Sequence, residues 1–291
     1  MAQLKQRRPE NQSGNLYVDE SCIDCDTCRW MVPEIFDRVG TKSAVHAQPR
    51  NETEQLQAMQ ALLSCPTASI GTVEKPKDIK AAHESFPILI EDNVYHCGYH
   101  SEQSFGAASY FIQRKEGNIL IDSPRFAPPL VKRLEALGGI RYMYLTHRDD
   151  VADHQKFRDH FGCDRILHVE DITTQTQSVE IQLSGLEDIQ FADDVLIIPV
   201  PGHSQGHTIL LYNHKFLFTG DHLAWSSRLN QLYAFRRYCW YSWSKQIDSM
   251  KKLPNYSFEW VLPGHGRRYQ ADNITMKDQV KKCVDWMIQN Q

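Results

Sequence analysis

The sequence CIDCDTC at residues 22–28 decides how the N-terminal part of this chain is organised. Its three cysteines, Cys22, Cys25 and Cys28, are separated by two residues each, and Cys65 follows later, directly before Pro66. Gaps of two residues let a curling backbone aim three thiolates at one point, as an iron–sulfur cluster requires. A structural zinc site is the alternative, although zinc usually takes its cysteines as separate Cys-x2-Cys pairs. The spacing therefore predicts a cluster on these four cysteines.

The cysteine usage favours metal ligation in a reducing compartment. The chain has 291 residues and eight cysteines, and its first residues lack the apolar core of a secretory signal. Eight cysteines in a small secreted domain would predict disulfides, whereas three close together in a long chain predict ligands. We therefore expect a cytoplasmic location. The remaining cysteines are expected to be idle thiols; they are Cys97, Cys163, Cys239 and Cys283.

Composition and charge exclude several classes of partner. With 41% hydrophobic and 23% charged residues, the chain is typical of a globular protein. Its net charge of -4 gives no basic footprint for nucleic acid. The sequence contains no run of 18 apolar residues, so it predicts no membrane span. We expect a small-molecule substrate and, because of the cluster, a redox protein as electron donor.

The cysteines lie in a short α+β segment. Residues 15–19 predict a strand, and residues 51–63 predict a helix that Asn51 caps, with Glu54 as its capping-box partner. Pro66 ends this helix because proline cannot continue it. The polar residues 74–85 predict either a linker or a surface helix.

From about residue 87 onward, short strands alternate with helices, which predicts an α/β layered domain. Residues 109–113 and 118–121 predict a hairpin. Further strands are predicted at residues 142–145, 195–200, 208–212, 215–219 and 258–262, and helices at residues 129–137 and 273–288.

Segments that carry histidine and aspartate follow several of these strands. They are ILIDS (119–123), THRDDVADH (146–154), PGHSQGHT (201–208), FTGD (218–221) and PGHG (263–266). Imidazole and carboxylate together bind zinc, iron or manganese, and a carboxylate between two ions can bridge them. A single histidine would more simply be a surface or core residue. The recurrence of these segments after apolar strands, several beside glycine, favours a metal site.

Residues 14–75 resemble the single-cluster bacterial ferredoxins, through the cysteine motif, CRWMVPEIF after it and LLSCPTASI around Cys65. The resemblance implies an α+β ferredoxin-like domain. Because Cys25 is a cysteine and not an aspartate, it implies a [4Fe-4S] cluster.

Roughly residues 93–280 resemble the metallo-β-lactamase superfamily in the order of the histidine and aspartate segments. The resemblance implies an αβ/βα sandwich with the metal site at one edge. The predicted organisation is a ferredoxin-like domain at residues 14–75, a linker at 76–92 and a metallo-β-lactamase-like domain at 93–291. One or two zinc or iron ions are implied, and the implied ligands are His147, Asp149 and His203 for one ion, Asp153, His154 and His265 for the other, and Asp221 as the bridge.

The first motif departs from the family form His-x-His-x-Asp-His. An aspartate, Asp149, replaces the second histidine, and the Asp-His pair arrives two residues late. Asp150 is the alternative to Asp149, and a single ion is the alternative to two. An oxygen donor hardens the site and suits iron or manganese. Flavodiiron proteins also carry a carboxylate here, whereas lactamases and glyoxalase II-like hydrolases carry histidine.

Three functions follow from these features. The first is a metal-dependent hydrolase acting on an ester or thioester, with Asp153 as a ligand or proton acceptor. The second is a redox enzyme in which the ferredoxin domain feeds electrons to a non-haem iron or di-iron site. The third is a non-enzymatic sensor of redox state or iron. The hydrolase stands slightly ahead of the redox enzyme and the sensor is third, and Asp149 is the position that separates the two enzymes.

Overall fold

The computed structural model of this protein describes residues 2–76 and 79–291. The chain divides into two units, residues 1–141 with 152–162, and residues 142–151 with 163–291. Each unit has a hydrophobic core of its own. Residues 77 and 78 of the predicted linker lie outside the described residues, and the predicted domain bounds stay a prediction. Within the described ranges, no helix combines the length and apolar character that a membrane crossing requires.

The first unit starts with a small α+β segment. Its elements are β1 (Leu16–Val18), α1 (Thr27–Met31), β2 (Phe36–Val39), β3 (Lys42–Val45), α2 (Glu52–Ser64) and β4 (Ile70–Thr72). β1 pairs with β4, and β2 pairs with β3, both antiparallel. Asn51 caps α2 by accepting from the backbone N–H of Glu54 at 2.9 Å, as predicted. The helix ends at Cys65, and its residues Ala58 and Met59 are fully buried in the core.

The rest of the first unit is an antiparallel meander with helices. Its elements are α3 (Ile79–Ser85), β5 (Ile88–Glu91), β6 (Val94–His96), β7 (Tyr110–Ile112), β8 (Ile119–Ile121), α4 (Pro128–Ala136) and α5 (His154–Phe161). Each of the strands β5 to β8 pairs antiparallel with the next one along the chain. The predicted hairpin is confirmed as β7 and β8. Of the two alternatives for residues 74–85, the structure has a helix over Ile79–Ser85, with Ala82 buried.

The described residues of the second unit form three groups of strands. Its strands are β9 (Tyr142–Tyr144), β10 (Asp164–His168), β11 (Ile181–Leu183), β12 (Ile189–Ala192), β13 (Val195–Pro199), β14 (Thr208–Tyr212), β15 (Phe216–Gly220), β16 (Ala224–Ser226), β17 (Gln231–Tyr233), β18 (Trp260–Pro263) and β19 (Tyr269–Gln270). β9, β10 and β11 are parallel, and β16 pairs with β17. The others form a six-stranded sheet in the order β12-β13-β14-β15-β18-β19.

Two helices, α6 (Trp243–Met250) and α7 (Asn273–Gln289), pack on the six-stranded sheet. In β14, Ile209 and Leu211 contribute to this core, in keeping with the two-residue period of a strand. The buried residues of α7 recur at helical spacing instead; they are Met276, Val280, Cys283 and Met287. The alternating and helical patterns therefore meet in a single core.

The six-stranded sheet places several strand ends at one edge. β13 and β15 are both antiparallel to β14, and β15 is parallel to β18. The carboxyl ends of β13, β15 and β18 consequently lie at the same edge. The segments that carry His203, Asp221 and His265 follow these three ends.

Candidate metal centre

The four cysteines predicted to hold the cluster line one small cavity of the first unit. α1 begins just before Cys28, and α2 ends at Cys65, so the ends of two helices bring the thiols together. The lining residues are Val18, Cys22, Ile23, Cys25, Thr27, Cys28, Ser43, Cys65, Thr67, Ser69 and Ile70. Residues far apart in sequence thus converge as one set of soft ligands.

The thiols of this cavity stay protonated unless a cation binds them. Burial raises the pKa of Cys25 to about 11 and that of Cys28 well above its usual value. The backbone N–H of Ser69 donates to Sγ of Cys65 at 3.2 Å, a contact that a thiolate accepts well. Thiols that ionise so reluctantly become thiolates when a cation binds them. The donor set therefore suits an iron–sulfur cluster.

The histidines and aspartates of the second unit converge in the same way. His147 follows β9, His203 follows β13, Asp221 directly follows β15, and His265 follows β18. His147 is fully buried, and His203 and Asp221 are nearly so. Side chains of His147, Asp149 and His203 offer ligand atoms that all lie within 4.8 Å of one another.

Nε2 of His147 is the point on which the carboxylates converge. It lies 3.9 Å from Oδ2 of Asp149, 3.9 Å from Oδ2 of Asp150 and 4.0 Å from Oδ2 of Asp221. It has no hydrogen-bond partner among the described residues. Two ligands that each lie about 2.1 Å from an ion are at most about 4.2 Å apart. These separations therefore fit a metal ion between the imidazole and the carboxylates.

Asp150 also lies among the candidate ligands around His147, and the absence of a side chain at Gly264 leaves space for its carboxylate. Asp150 is buried, and it forms a second set of candidate ligands with His147 and Asp221. A Cβ on Gly264 would lie 2.9 Å from Oδ2 of Asp150 and 3.3 Å from Oδ1 of Asp221. The sequence offered Asp150 as an alternative to Asp149, and the structure places both carboxylates at His147.

Asp221 contacts histidines on both sides. Its Oδ1 accepts from Nδ1 of His265 at 2.7 Å, whereas its Oδ2 faces His147 and lies 3.9 Å from Nε2 of His203. Burial alone would raise the pKa of Asp221, but His265, His147 and His203 hold it far below its usual range. Burial and the neighbouring His203 lower the pKa of His147 to about 4. Near neutral pH, His147 is therefore neutral and Asp221 is ionised.

Two further histidines lie behind the candidate ligands. The ring of His207 stacks on that of His147 at 4.9 Å, and its Nε2 accepts from the backbone N–H of Asp221 at 3.2 Å. His222 is fully buried beside His207, and burial lowers its pKa to about 3. Their burial favours a role in positioning the candidate ligands.

Asp171 is a residue of the site that the sequence did not indicate. It is fully buried and accepts from the backbone N–H of Arg148 at 3.0 Å and of Gly206 at 2.8 Å. It also accepts from the hydroxyl of Ser204. One carboxylate thereby ties together the loops that carry His147 and His203. It lies on a short turn with no motif around it, so no sequence signal marked it.

Asp153 and His154 belong to the first unit. Asp153 accepts from the backbone N–H of Phe126 at 2.8 Å through Oδ2, and its Oδ1 pairs with Lys156 at 2.8 Å. His154 is buried in the first turn of α5. Both oxygens of Asp153 thus have partners within this unit. The assignment of Asp153 and His154 as ligands stays a prediction.

A groove opens beside Asp149. It has a volume of about 540 Å³ and is lined by Arg148, Asp149, Ser204, Gln205, Trp240 and Tyr241. The backbone N–H groups of Trp240 and Tyr241 both donate to the carbonyl of His203, at 2.9 and 3.1 Å. The aromatic wall is therefore anchored to a candidate ligand.

The comparisons with known proteins match this chain in two ways: a family model matches its N-terminal region, and solved structures match most of its length. Residues 18–72 match the family model described as the 4Fe-4S single cluster domain of Ferredoxin I. No curated protein sequence matches the chain. The solved structures it resembles include the DIM-1 metallo-β-lactamase exposed to ceftazidime, with 17% identity over 68% of this chain and 95% of that one, and a TM-score of 0.54.

Two further solved structures give the same result. VMB-1 at pH 5.5 has 18% identity over 69% of this chain and 95% of that one, with a TM-score of 0.53. The mono-zinc form of FIM-1 from Pseudomonas aeruginosa has 13% identity over 68% of this chain and 93% of that one, with a TM-score of 0.51. The predicted fold class is confirmed. The chain combines a single-cluster 4Fe-4S ferredoxin-type region at residues 18–72 with a metallo-β-lactamase fold.

Proposed function

We propose that this protein is a redox enzyme in which a [4Fe-4S] cluster on Cys22, Cys25, Cys28 and Cys65 delivers single electrons to a non-haem metal centre. The observation that carries the proposal is the donor set around His147. Two imidazoles and three carboxylates meet there, in a chain that also has a matched ferredoxin-type region.

The donor set favours a hard metal. Asp149, Asp150 and Asp221 supply oxygen atoms, and His147 and His203 supply nitrogen. Carboxylate-rich sites suit iron and manganese, whereas soft or imidazole-rich sites suit zinc. Two histidines and one carboxylate with open positions are typical of non-haem iron(II) enzymes. The extra buried carboxylate, Asp150, moves the near-even balance between hydrolase and redox enzyme toward the latter.

The residues around this centre would have different roles in metal and substrate binding. A bound iron ion would supply one-electron chemistry at an open coordination position. Asp221 would hold the centre through Oδ2 while its Oδ1 fixes His265. Asp149, with 43% of its side chain exposed, faces the groove where a small-molecule substrate would bind. Trp240 forms an apolar wall of that groove.

A metal-dependent hydrolase is the second candidate, and the groove favours it. Two histidines and a carboxylate with one open position also describe catalytic zinc sites, where the metal lowers the pKa of water. The open face beside Asp149 would then receive an ester or thioester. FIM-1, whose solved structure is a mono-zinc form, is a precedent in this fold for a centre that holds one zinc ion. In this case the cluster would have no part in the reaction.

Metal analysis and electron transfer separate the two candidates. The full chain is purified without oxygen, iron, zinc and sulfide are counted per chain, and reduction by a reduced ferredoxin-type protein is followed by EPR. We expect iron in the second centre that is reduced in the wild type and stays oxidised in Cys22→Ala, which lacks the cluster. Cys163→Ala, whose buried thiol lies outside the cysteine cavity, is the control.

Two other outcomes of this experiment would contradict the redox proposal. Zinc in the second centre, with ester or thioester hydrolysis unchanged in Cys22→Ala, would contradict the redox proposal and support the hydrolase. A cluster that cycles between oxidation states beside a second site that binds no metal would contradict both enzymes and support a sensor.

A further inference from the structure

Two loops that follow the ferredoxin-type region in sequence border the cysteine cavity within the first unit. The loop of residues 97–109 brings Gly106 to the cavity, and a Cβ there would lie 2.9 Å from Cβ and 3.1 Å from Sγ of Cys25. The loop of residues 122–127 brings Arg125, whose Nη2 donates to the carbonyl of Leu63 at 2.8 Å and approaches that of Cys65 at 3.4 Å. Neither loop belongs to the matched residues 18–72.

The guanidinium of Arg125 carries a charge that no carboxylate neutralises at close range. Within the described residues it has no ion pair within 4 Å, and its Nε has no hydrogen-bond partner. Burial lowers the pKa of Arg125, and negative charge at Cys65, followed by Tyr99 and Asp153, offsets part of that lowering. The positive charge is therefore directed at a cluster ligand.

Arg29 provides the contrast. It is also buried beside the cysteines, but its Nη1 lies 2.7 Å from Oδ1 of Asp24 and its Nε lies 2.6 Å from Oδ1 of Asp26. Burial alone would lower the pKa of Arg29, and Asp26 and Asp24 raise it above its usual value. Two carboxylates thus form direct ion pairs with Arg29 and offset its field at the cluster. Among the described residues, Arg125 has no carboxylate within ion-pair distance, and Asp153 acts on it only from farther away.

A second contact from the same loops acts on Cys25. Oγ1 of Thr27 lies 3.4 Å from Sγ of Cys25 and 3.1 Å from Nδ1 of His100. Nδ1 of His100 also lies 2.7 Å from the carbonyl of Gly106, so it carries the proton and donates. That N–H is shared between the carbonyl of Gly106 and Oγ1 of Thr27, and Oγ1 also lies 3.4 Å from the same carbonyl. With His100 as a donor, the hydroxyl hydrogen of Thr27 is available to the sulfur of Cys25 once Cys25 is a thiolate. His100 in this way fixes the direction of a hydrogen bond to the cluster.

We propose that Arg125, with His100 acting through Thr27, raises the reduction potential of the cluster. Reduction adds one electron, and hence one negative charge, to the cluster, and a nearby cation or a hydrogen bond to sulfur stabilises that charge. A raised cluster potential favours a one-electron carrier protein of lower potential as the electron donor. The electron then passes from that protein to the cluster with a fall in free energy. Arg125 and His100 are positioning residues for the cluster, and the inference rests on the cluster part of the proposed function only.

The test is an EPR-monitored redox titration of the full chain, purified without oxygen. For Arg125→Gln we expect the ratio of reduced to oxidised cluster at a fixed potential to fall about tenfold, which is a shift of about 59 mV for one electron. Arg125→Lys keeps the charge and should recover most of the ratio. Thr27→Val should lower it as well. Lys132→Gln, which removes an exposed charge on α4, should leave it unchanged.

The alternative is that Arg125 only ties down the last carbonyls of α2. That role predicts a lower melting temperature for Arg125→Gln with an unchanged potential, and this result would overturn the inference. Equal shifts in Arg125→Gln and Arg125→Lys would overturn it too. Iron and sulfide counts keep the two proposals apart: a wild-type chain without a cluster contradicts the proposed function, whereas a full cluster with an unmoved potential contradicts only this inference.

Discussion

His265 donates from Nδ1 to Oδ1 of Asp221 at 2.7 Å, while the other oxygen of the same carboxylate points at His147 from 4.0 Å. The carboxylate of Asp221 therefore contacts His265 through one oxygen and faces His147 with the other. The amide of asparagine has a single oxygen and no charge, so it cannot do the same.

Asp221→Asn is expected to lose most of the metal of the second centre, because the anionic oxygen that faces His147 is replaced by a neutral group. Metal per chain after oxygen-free purification measures this, with the cluster's iron counted separately through sulfide. Asp248→Asn, an exposed carboxylate on α6, is the control and should keep its metal. Full occupancy in Asp221→Asn would remove that residue from the ligand set.

Asp149→His tests whether the carboxylate selects the metal. Because 43% of the Asp149 side chain is exposed, the larger imidazole has space. The site would then be richer in nitrogen and softer, so the ratio of iron to zinc bound should fall severalfold. Metal analysis of chains produced in medium with equal iron and zinc gives the ratio. Asp149→Glu keeps the oxygen and should keep the wild-type ratio; an unchanged ratio in Asp149→His would show that Asp149 does not set it.

Gly264→Ala places a methyl group 2.9 Å from Oδ2 of Asp150 and 3.3 Å from Oδ1 of Asp221. The displaced carboxylates should weaken metal affinity by roughly 10- to 100-fold, the range seen when the support of a ligand is disturbed. Competition with a chelator measures the affinity. Gly185→Ala has open space around the new methyl but a strained backbone, with φ at +87°. It should lower stability without changing affinity, and equal affinity loss in both variants would point to a general effect of strain.

The buried histidines predict how the metal-free chain responds to acid. The pKa of His147 is lowered to about 4 and that of His222 to about 3, mainly by burial. The unfolded chain takes up these protons near pH 6.5, whereas the folded chain does not, so stability falls as the pH drops below that value. The expected slope is about 1.4 kcal/mol per pH unit for each histidine. Urea unfolding of chelator-treated protein at pH 7, 6 and 5 measures it.

In the His222→Gln variant, the free energy of unfolding should depend less steeply on pH, by about 1.4 kcal/mol per pH unit, which is the contribution of one histidine. His160→Gln removes a histidine whose side chain is 39% exposed, and it should leave the slope unchanged. A slope that is the same in all three chains would mean that His222 does not stay neutral in the folded state.

Local features of the fold were predictable from sequence because they depend on neighbouring residues. The cap of α2 at Asn51 follows from a four-residue pattern, and β14 follows from a short apolar run before a turn. The loop of residues 22–28 was predictable because its cysteine spacing has few uses. Residues 74–85 left two alternatives, because a polar segment can be a linker or a helix until something packs on it, as the core does on Ala82.

The candidate centre was predictable only in part. His147, His203, Asp221 and His265 stand after strands, and strand ends meet at a sheet edge. The choice between Asp149 and Asp150 depended on how the backbone turns after His147, which spacing does not determine. Asp171 is set by a long-range contact between two loops, and Arg125 by a contact with the end of α2. Such contacts leave no periodic or motif signal.

Gly106 leaves no space for even a methyl group against Cys25. A ferredoxin transplanted from another protein in place of residues 18–72 would need a loop of the same shape at this point, or it would collide with residues 97–109. The N-terminal region is therefore not an exchangeable cassette. Engineering the cluster loop therefore requires redesigning residues 97–109 with it.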